Sequence, residues 1–159
     1  MTYDSTDSDS DGVIEANVDN ELVNTDVLSN VYDHVLSSND NLNDFIANTL
    51  SSDDSVKLGP GTYTVTKSGL NALEIIGGHV TLEGVAQGVT TIKLEDNAST
   101  DSNNLQDEAI IAIGTEGGAS PSGVEIRDLT IDGNKANQTT NSNERVNGIS
   151  PRGADDITI

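Results

Sequence analysis

Gly123-Val-Glu-Ile-Arg-Asp-Leu-Thr-Ile-Asp-Gly-Asn-Lys135 is the stretch whose reading decides the fold. Apolar Val124, Ile126, Leu129 and Ile131 alternate with polar residues, the phase breaks at Arg127-Asp128, and Gly133-Asn134 closes the run. Alternation with period two marks strands, so the stretch is two short strands joined by a bend. Such a unit cannot bury its apolar side alone and needs neighbours of the same kind. Gly78-His-Val-Thr-Leu-Glu-Gly84 stands before it and Ala154-Asp-Asp-Ile-Thr-Ile159 after it. A recurring unit of strand, bend, strand and glycine predicts a stacked β-solenoid.

Further strands are expected before that unit. Val56-Lys-Leu58 runs into the turn signal Gly59-Pro-Gly61, and Thr62-Tyr-Thr-Val-Thr66 follows with a composition suited to a sheet. Leu73-Glu-Ile-Ile76, Val80-Thr-Leu82, Thr90-Thr-Ile-Lys-Leu94 and Ala109-Ile-Ile-Ala-Ile113 come next, separated by glycines and by the polar excursions 96–107 and 114–123. Their irregular spacing fits a solenoid with projecting loops of variable length and does not fit a propeller or leucine-rich repeat.

Upstream, the pattern predicts helix in pieces from Glu21 to Leu50. Leu22, Val23, Val27, Leu28, Val31, Val35 and Leu36 carry the first part of that pattern, and Leu42, Phe45, Ile46 and Leu50 then share one face at i, i+3, i+4 and i+8. Asn24-Thr25-Asp26 and Asn39-Asp40-Asn41 can cap the starts of these helices. The second helix is placed to cover the open end of the strands, where unpaired backbone would invite aggregation. His34 has no second histidine or cysteine nearby and reads as a surface or core residue. The resulting divisions are an acidic leader over 1–20, a helical attachment or linker segment over 21–40, a capping helix over 41–55, and stacked coils over 56–159.

Composition narrows the function classes. One Phe, three Tyr and no Trp leave Val, Ile, Leu and Ala to build the core, and the absence of cysteine removes disulfides and thiolate metal sites. The formal net charge is −20, and residues 1–56 hold thirteen acids with no Lys or Arg. Such a surface repels nucleic-acid phosphates and anionic membranes, so neither is an expected partner, and no apolar run approaches the roughly 20 residues that cross a bilayer. No signal peptide is visible at the N-terminus. Acids continue among the strands (Glu74, Glu83, Glu95, Glu125, Asp155, Asp156), which favours a halophilic surface over a disordered acidic tail as their explanation.

Leu58-Gly-Pro-Gly-Thr-Tyr-Thr-Val65, His79-Val-Thr-Leu-Glu-Gly84, Thr91-Ile-Lys-Leu94 and Ile126-Arg-Asp-Leu-Thr-Ile-Asp-Gly-Asn134 together resemble the pectate-lyase-like superfamily. The likeness is to the N-terminal coils of mannuronan C5-epimerase modules and of viral tailspike and tail-fibre β-helices, and it spans roughly residues 41–159. The resemblance implies an all-β fold, a right-handed parallel β-helix preceded by short α-helices. It also implies polysaccharide or cell-surface glycan as the partner. Two functions follow from it. One is a structural, host-glycan-binding virion component, the N-terminal part of a tail fibre or tailspike of a virus of a halophilic host. This would be a homotrimer by analogy, contacting other virion proteins through residues 1–40 and found in the virion or outside the cell. The other is the N-terminal part of a uronan epimerase, lyase or hydrolase. The family's catalytic groups usually lie on coils beyond the Leu-Thr-Ile-Asp-Gly-Asn unit, so no catalytic residue is assigned and enzyme activity stays open.

Two clusters are candidate sites. Asp132, Asn134 and Lys135, with Arg145 and Arg152 from the following segment, are the expected sugar-binding residues. Carboxylates and amides pair with hydroxyls, Lys and Arg neutralise uronate, and four of the seven basic residues fall between Arg127 and Arg152. Against this, Asp132-Gly133-Asn134 also reads as a simple turn whose side chains bond their own backbone. In the leader, Asp7, Asp9 and Asp11 with Gly12 match the first half of an EF-hand loop for Ca²⁺. The match stops at Val18, where a bidentate Glu would stand, and a low-complexity acidic leader yields the same pattern. No other cofactor is expected.

Overall fold

The computed structural model describes residues 31–67, 69–98, 108–138 and 146–159; the leader with Asp7, Asp9 and Asp11 lies outside them, as does Arg145. The described chain is predominantly β. Ten strands run as β1 (His34–Leu36), β2 (Ser55–Leu58), β3 (Gly61–Val65), β4 (Asn71–Ile75), β5 (Thr81–Glu83), β6 (Thr90–Leu94), β7 (Glu108–Ile113), β8 (Glu125–Arg127), β9 (Thr130–Asp132) and β10 (Val146–Pro151). One α-helix, α1 (Leu42–Asn48), separates β1 from β2.

Among the described residues every strand pairing is parallel, and from β2 to β7 each strand pairs with the strand three places later. Three sheets result: a first of order β1-β2-β5-β8, a second of β3-β6-β9 and a third of β4-β7-β10. The chain thus visits the three sheets in rotation. Inward residues stack in register, as in Val56–Leu82–Ile126 of the first sheet, Tyr63–Ile92–Ile131 of the second and Leu73–Ile111–Ile149 of the third. Val56, Val65, Ile75, Leu82, Ile92, Ile111 and Ile113 are fully buried. Each such side chain stabilises the fold by about 1.5–3 kcal/mol relative to exposure.

One corner recurs in every circuit. Asp53, His79, Gly123 and Asp156 all take positive φ (69°, 56°, 71° and 53°). Each lies two residues before Ser55, Thr81, Glu125 and Thr158, which are mutually aligned on the first sheet. The backbone N–H of Asp53, His79 and Gly123 donates to Gly78 O, Ser122 O and Asp155 O of the next circuit, at 2.9, 2.7 and 3.2 Å. Asp and Asn tolerate the left-handed region better than most residues, which suits Asp53 and Asp156. Gly123 has a second reason: a Cβ there would sit 2.5 Å from Nδ1 of His79, whose ring lies against it. The bend expected at Arg127-Asp128 is present, with Asp128 at φ 55° between β8 and β9.

The helix expected to cover the strand ends is α1, capped by Asn41, whose side chain accepts from the Asp44 N–H at 3.1 Å. Leu42 and Ile46 are buried, and Phe45 and Leu50 pack partly buried against the core. No described strand precedes β3 and β4 in their sheets, so their outer edges need another partner. Asn43 supplies one: its Nδ2 donates to Thr66 O (2.9 Å) and Ala72 O (2.8 Å), and its Oδ1 accepts from the Thr66 N–H (2.9 Å).

The helical expectation for 21–40 is overturned where it can be compared. His34–Leu36 is a strand, paired in parallel with Val56–Leu58, and Leu36 is buried above Leu58. The apolar spacing of Val31, Val35 and Leu36 suits a helix, but the open edge of β2 offers backbone hydrogen bonds and a core position that override local periodicity. His34 occupies the inward position above Val56, with its ring 5.0 Å from Phe45 in an edge-on contact and Nε2 3.3 Å from Asp54 Oδ2. Val146–Pro151 is a strand that the sequence reading did not anticipate.

Candidate functional site

The outward residues of the first sheet form two columns. Lys57, Glu83 and Arg127 are aligned in one, and Ser55, Thr81 and Glu125 in the other. Glu83 is the centre of the network. Its Oε1 accepts from Lys57 Nζ at 2.7 Å; its Oε2 accepts from Tyr32 OH and Arg127 Nε, both at 2.9 Å, and from Arg127 Nη2. Arg127 also reaches Glu125 at 3.3 Å, and Lys57 donates to Gly84 O at 2.8 Å with its ammonium 5.5 Å from the Tyr32 ring centre. Burial pushes the Glu83 carboxyl up, but hydrogen bonds from Lys57, Tyr32 and Arg127 outweigh it and hold the group below its ordinary value. The Tyr32 phenol is pushed up by burial and then by Glu83, so it is a proton donor at neutral pH. Beside it, Asp33 accepts from the Ser55 hydroxyl and N–H at 2.7 and 2.8 Å, which lowers its carboxyl. Two cations and two acids thus close on one another across three strands.

The Asp132–Lys135 turn is built differently from the sugar-binding cluster expected there. Asp132 accepts the N–H of Asn134 at 2.7 Å, and Asn134 is buried in the left-handed region at φ 52°. Its Nδ2 donates to Leu94 O (2.9 Å) and Asp96 Oδ1 (2.7 Å), and its Oδ1 accepts from Asn137 (2.8 Å). The Asn134 amide is therefore committed to tying successive turns together. Lys135 is exposed at the start of a 3-10 turn (Lys135–Asn137). Arg152 is half-buried after β10 of the third sheet, and its N–H donates to Ile113 O at 2.7 Å. Asp132 and Arg152 belong to different sheets.

The second sheet presents the outward column Thr62–Thr91–Thr130, beside Thr64–Lys93–Asp132. Thr130 Oγ1 accepts the Gly88 N–H at 2.8 Å. Thr62, Thr64 and Asp132 are exposed; Thr91, Lys93 and Thr130 are half-buried. In the third sheet, Ala109 to Ile113 of β7 are each at most 2% exposed, so both faces of that strand are covered. Among the described residues no group of three or more His, Asp or Glu converges as a metal site, and no helix is long and apolar enough to cross a membrane.

Sequence reasoning missed Tyr32, Lys57 and Glu83, because their partners are 26 to 51 residues away and only register brings them together. A signal for the threonine column was present: Thr62-Tyr63, Thr91-Ile92 and Thr130-Ile131 repeat an outward Thr before an inward apolar residue. No protein-family model, curated protein or solved structure matches this chain.

Proposed function

We propose that this chain is a stretch of right-handed parallel β-helix of the pectate-lyase-like kind, acting as a structural, glycan-binding component of a virion. It would be part of the tail fibre or tailspike of a virus whose host lives in high salt. The observation that carries this reading is the pairing of each strand with the third one on, in register, around a core of stacked Val, Leu and Ile. Such stacking makes a stiff shaft with long flat faces, and an extended glycan matches a flat face better than a closed pocket does. The closed Lys57–Glu83–Arg127–Glu125 network favours rigidity, because its charges bind each other. The acid-rich surface supports a high-salt setting, where screening within about 3 Å makes crowded carboxylates tolerable. Homotrimer assembly and virion contacts through residues 1–40 belong to the same proposal.

Detection in purified particles by antibody, sedimentation equilibrium of the intact protein and retention on host surface glycan test it together. A secreted monomer absent from particles and indifferent to glycan would sink it. Independently, the melting temperature should climb steeply from low to molar KCl, and a flat response removes the halophilic element.

The second reading, a polysaccharide-modifying enzyme, draws on one observation: the Tyr32 phenol, Glu83 and Arg127 meet within hydrogen-bond distance on one outer face. Release of unsaturated or epimerised product from a uronan by the full protein, lost in Tyr32→Phe, would favour it.

A further inference from the structure

We infer that the outer face of the second sheet is a docking surface for a neutral polysaccharide lying along the stack, bonded rung by rung to the Thr62–Thr91–Thr130 column. This rests on the glycan-binding reading and names the face and the chemical class that reading leaves open.

The three sheets are not equivalent as surfaces. On the first, Lys57 and Arg127 are spent on Glu83, and Tyr32 bonds to the same carboxylate. On the third, the middle strand is buried on both faces. Among the described residues, the second sheet alone keeps a continuous outward row of polar groups with spare capacity. Thr62, Thr64, Thr91 and Lys93 have no side-chain partner among the described residues, and Thr130, though accepting from Gly88, retains its own proton to donate.

Spacing and charge identify the ligand. In-register parallel strands lie about 4.8 Å apart, close to the advance of one pyranose residue in an extended β-linked chain. Successive hydroxyls can therefore meet successive sugars without either partner bending. Each threonine methyl beside its hydroxyl offers apolar contact to the C–H face of a sugar. Lys93 and Asp132 carry opposite charges at aligned positions, so these two columns have no net charge on a protein of net charge −20. A uronan would meet long-range repulsion with Lys93 as the one cation in these two columns to offset it, whereas a neutral polyol needs only hydrogen-bond partners. Asp132, exposed on the flank of this face, would add a sugar contact to the threonine column, while the Asn134 amide is buried and bonded to Leu94 O and Asp96.

The intact protein is run in affinity electrophoresis through gels containing hydroxyethyl cellulose or galactomannan as neutral probes, and polymannuronate or polygalacturonate as acidic ones. Thr62→Val/Thr91→Val is isosteric and suits strands, and an unchanged circular-dichroism melt verifies its fold. Wild type should be retarded by a neutral polymer, and the double variant should bind it about tenfold more weakly, the loss expected for two hydroxyl bonds. Thr81→Val, outward on the first sheet, should bind like wild type. Retardation that survives in the double variant overturns this placement and leaves the glycan reading standing. Tighter binding of an acidic polymer overturns the neutral class. No retardation by any of the four polymers counts against this inference and the glycan-binding reading together.

Discussion

Glu83→Gln is the substitution that tests most directly how the first sheet is held in register. At the 2.7 Å separation of Lys57 and Glu83, Coulomb attraction is about 6 kcal/mol in an effective dielectric of about 20. Most of that is offset by desolvation, since the two side chains are only 14% and 12% exposed. Glutamine keeps the shape and an acceptor for Tyr32 but removes the charge, which leaves the Lys57 ammonium desolvated and unpaired at a cost of about 3 kcal/mol. Arg127, 46% exposed, rehydrates and adds little to the loss. At roughly 2–4 °C per kcal/mol for a chain of this length, the melting temperature should fall by roughly 10 °C. Circular-dichroism melts of wild type, Glu83→Gln, Lys57→Met and the double variant provide a complete cycle, with an expected coupling of about 2 kcal/mol. Most of the loss should persist in molar KCl, because salt screens exposed pairs more than desolvated ones. Acid acts through the same group. A carboxyl held below its ordinary value contributes stability that is present above about pH 4.3, its unfolded value, and lost as pH falls through the folded value. The wild-type advantage over Glu83→Gln should therefore shrink below pH 4.3. A melt lowered by less than about 2 °C, or single losses that merely add, would refute this account.

Asn43→Ala should cost about 2 kcal/mol, read by urea titration, because it strips three hydrogen bonds from the edges of β3 and β4 and orphans Ala72 O. Gly84→Ala should cost more than about 3 kcal/mol, since its Cβ would lie 2.3 Å from Asp128 O and 2.9 Å from Thr90 Cβ; Gly88→Ala, with nothing within 4 Å, should cost only about 1 kcal/mol, from its φ of 76°. Burial pushes the Tyr63 phenol up to about 12, so its ionisation, followed by phenolate absorbance, should lag the other tyrosines. The fold should correspondingly lose stability as pH rises above about 10. Tyr63→Phe should cost only about 1 kcal/mol, because Leu36 O, its hydrogen-bond acceptor at 2.8 Å, still receives the Gly59 N–H.

Several elements were legible because they rest on local rules. Thr90–Leu94 is a strand with the bounds its alternation predicts, and the broken phase at Arg127-Asp128 is a real bend with Asp128 in the left-handed region. The face Leu42, Phe45, Ile46 and Leu50 marks the capping helix, although its hydrogen-bonded span is shorter than 41–55. His34–Leu36 was not legible, since a three-residue strand has too few positions to show a period and is made by the edge it joins. Asn134 was misleading in a different way. Its residue type suits both a sugar contact and a turn, and only burial against Leu94 and Asp96 separates the two.

The sequence by itself determined that Val, Ile and Leu strands of period two, punctuated by glycine, would need neighbours to bury their apolar sides. A strand with one apolar face must bury it against other elements, and recurring units of the same kind supply them. Only the tertiary structure decided which residues share a face. Lys57, Glu83 and Arg127 stand 26 and 44 residues apart, as do the aligned corners Asp53, His79 and Gly123. Loops of unequal length hide that alignment from any fixed repeat, and it is set by the parallel backbone ladder, which brings each circuit back into register whatever length of chain lies between.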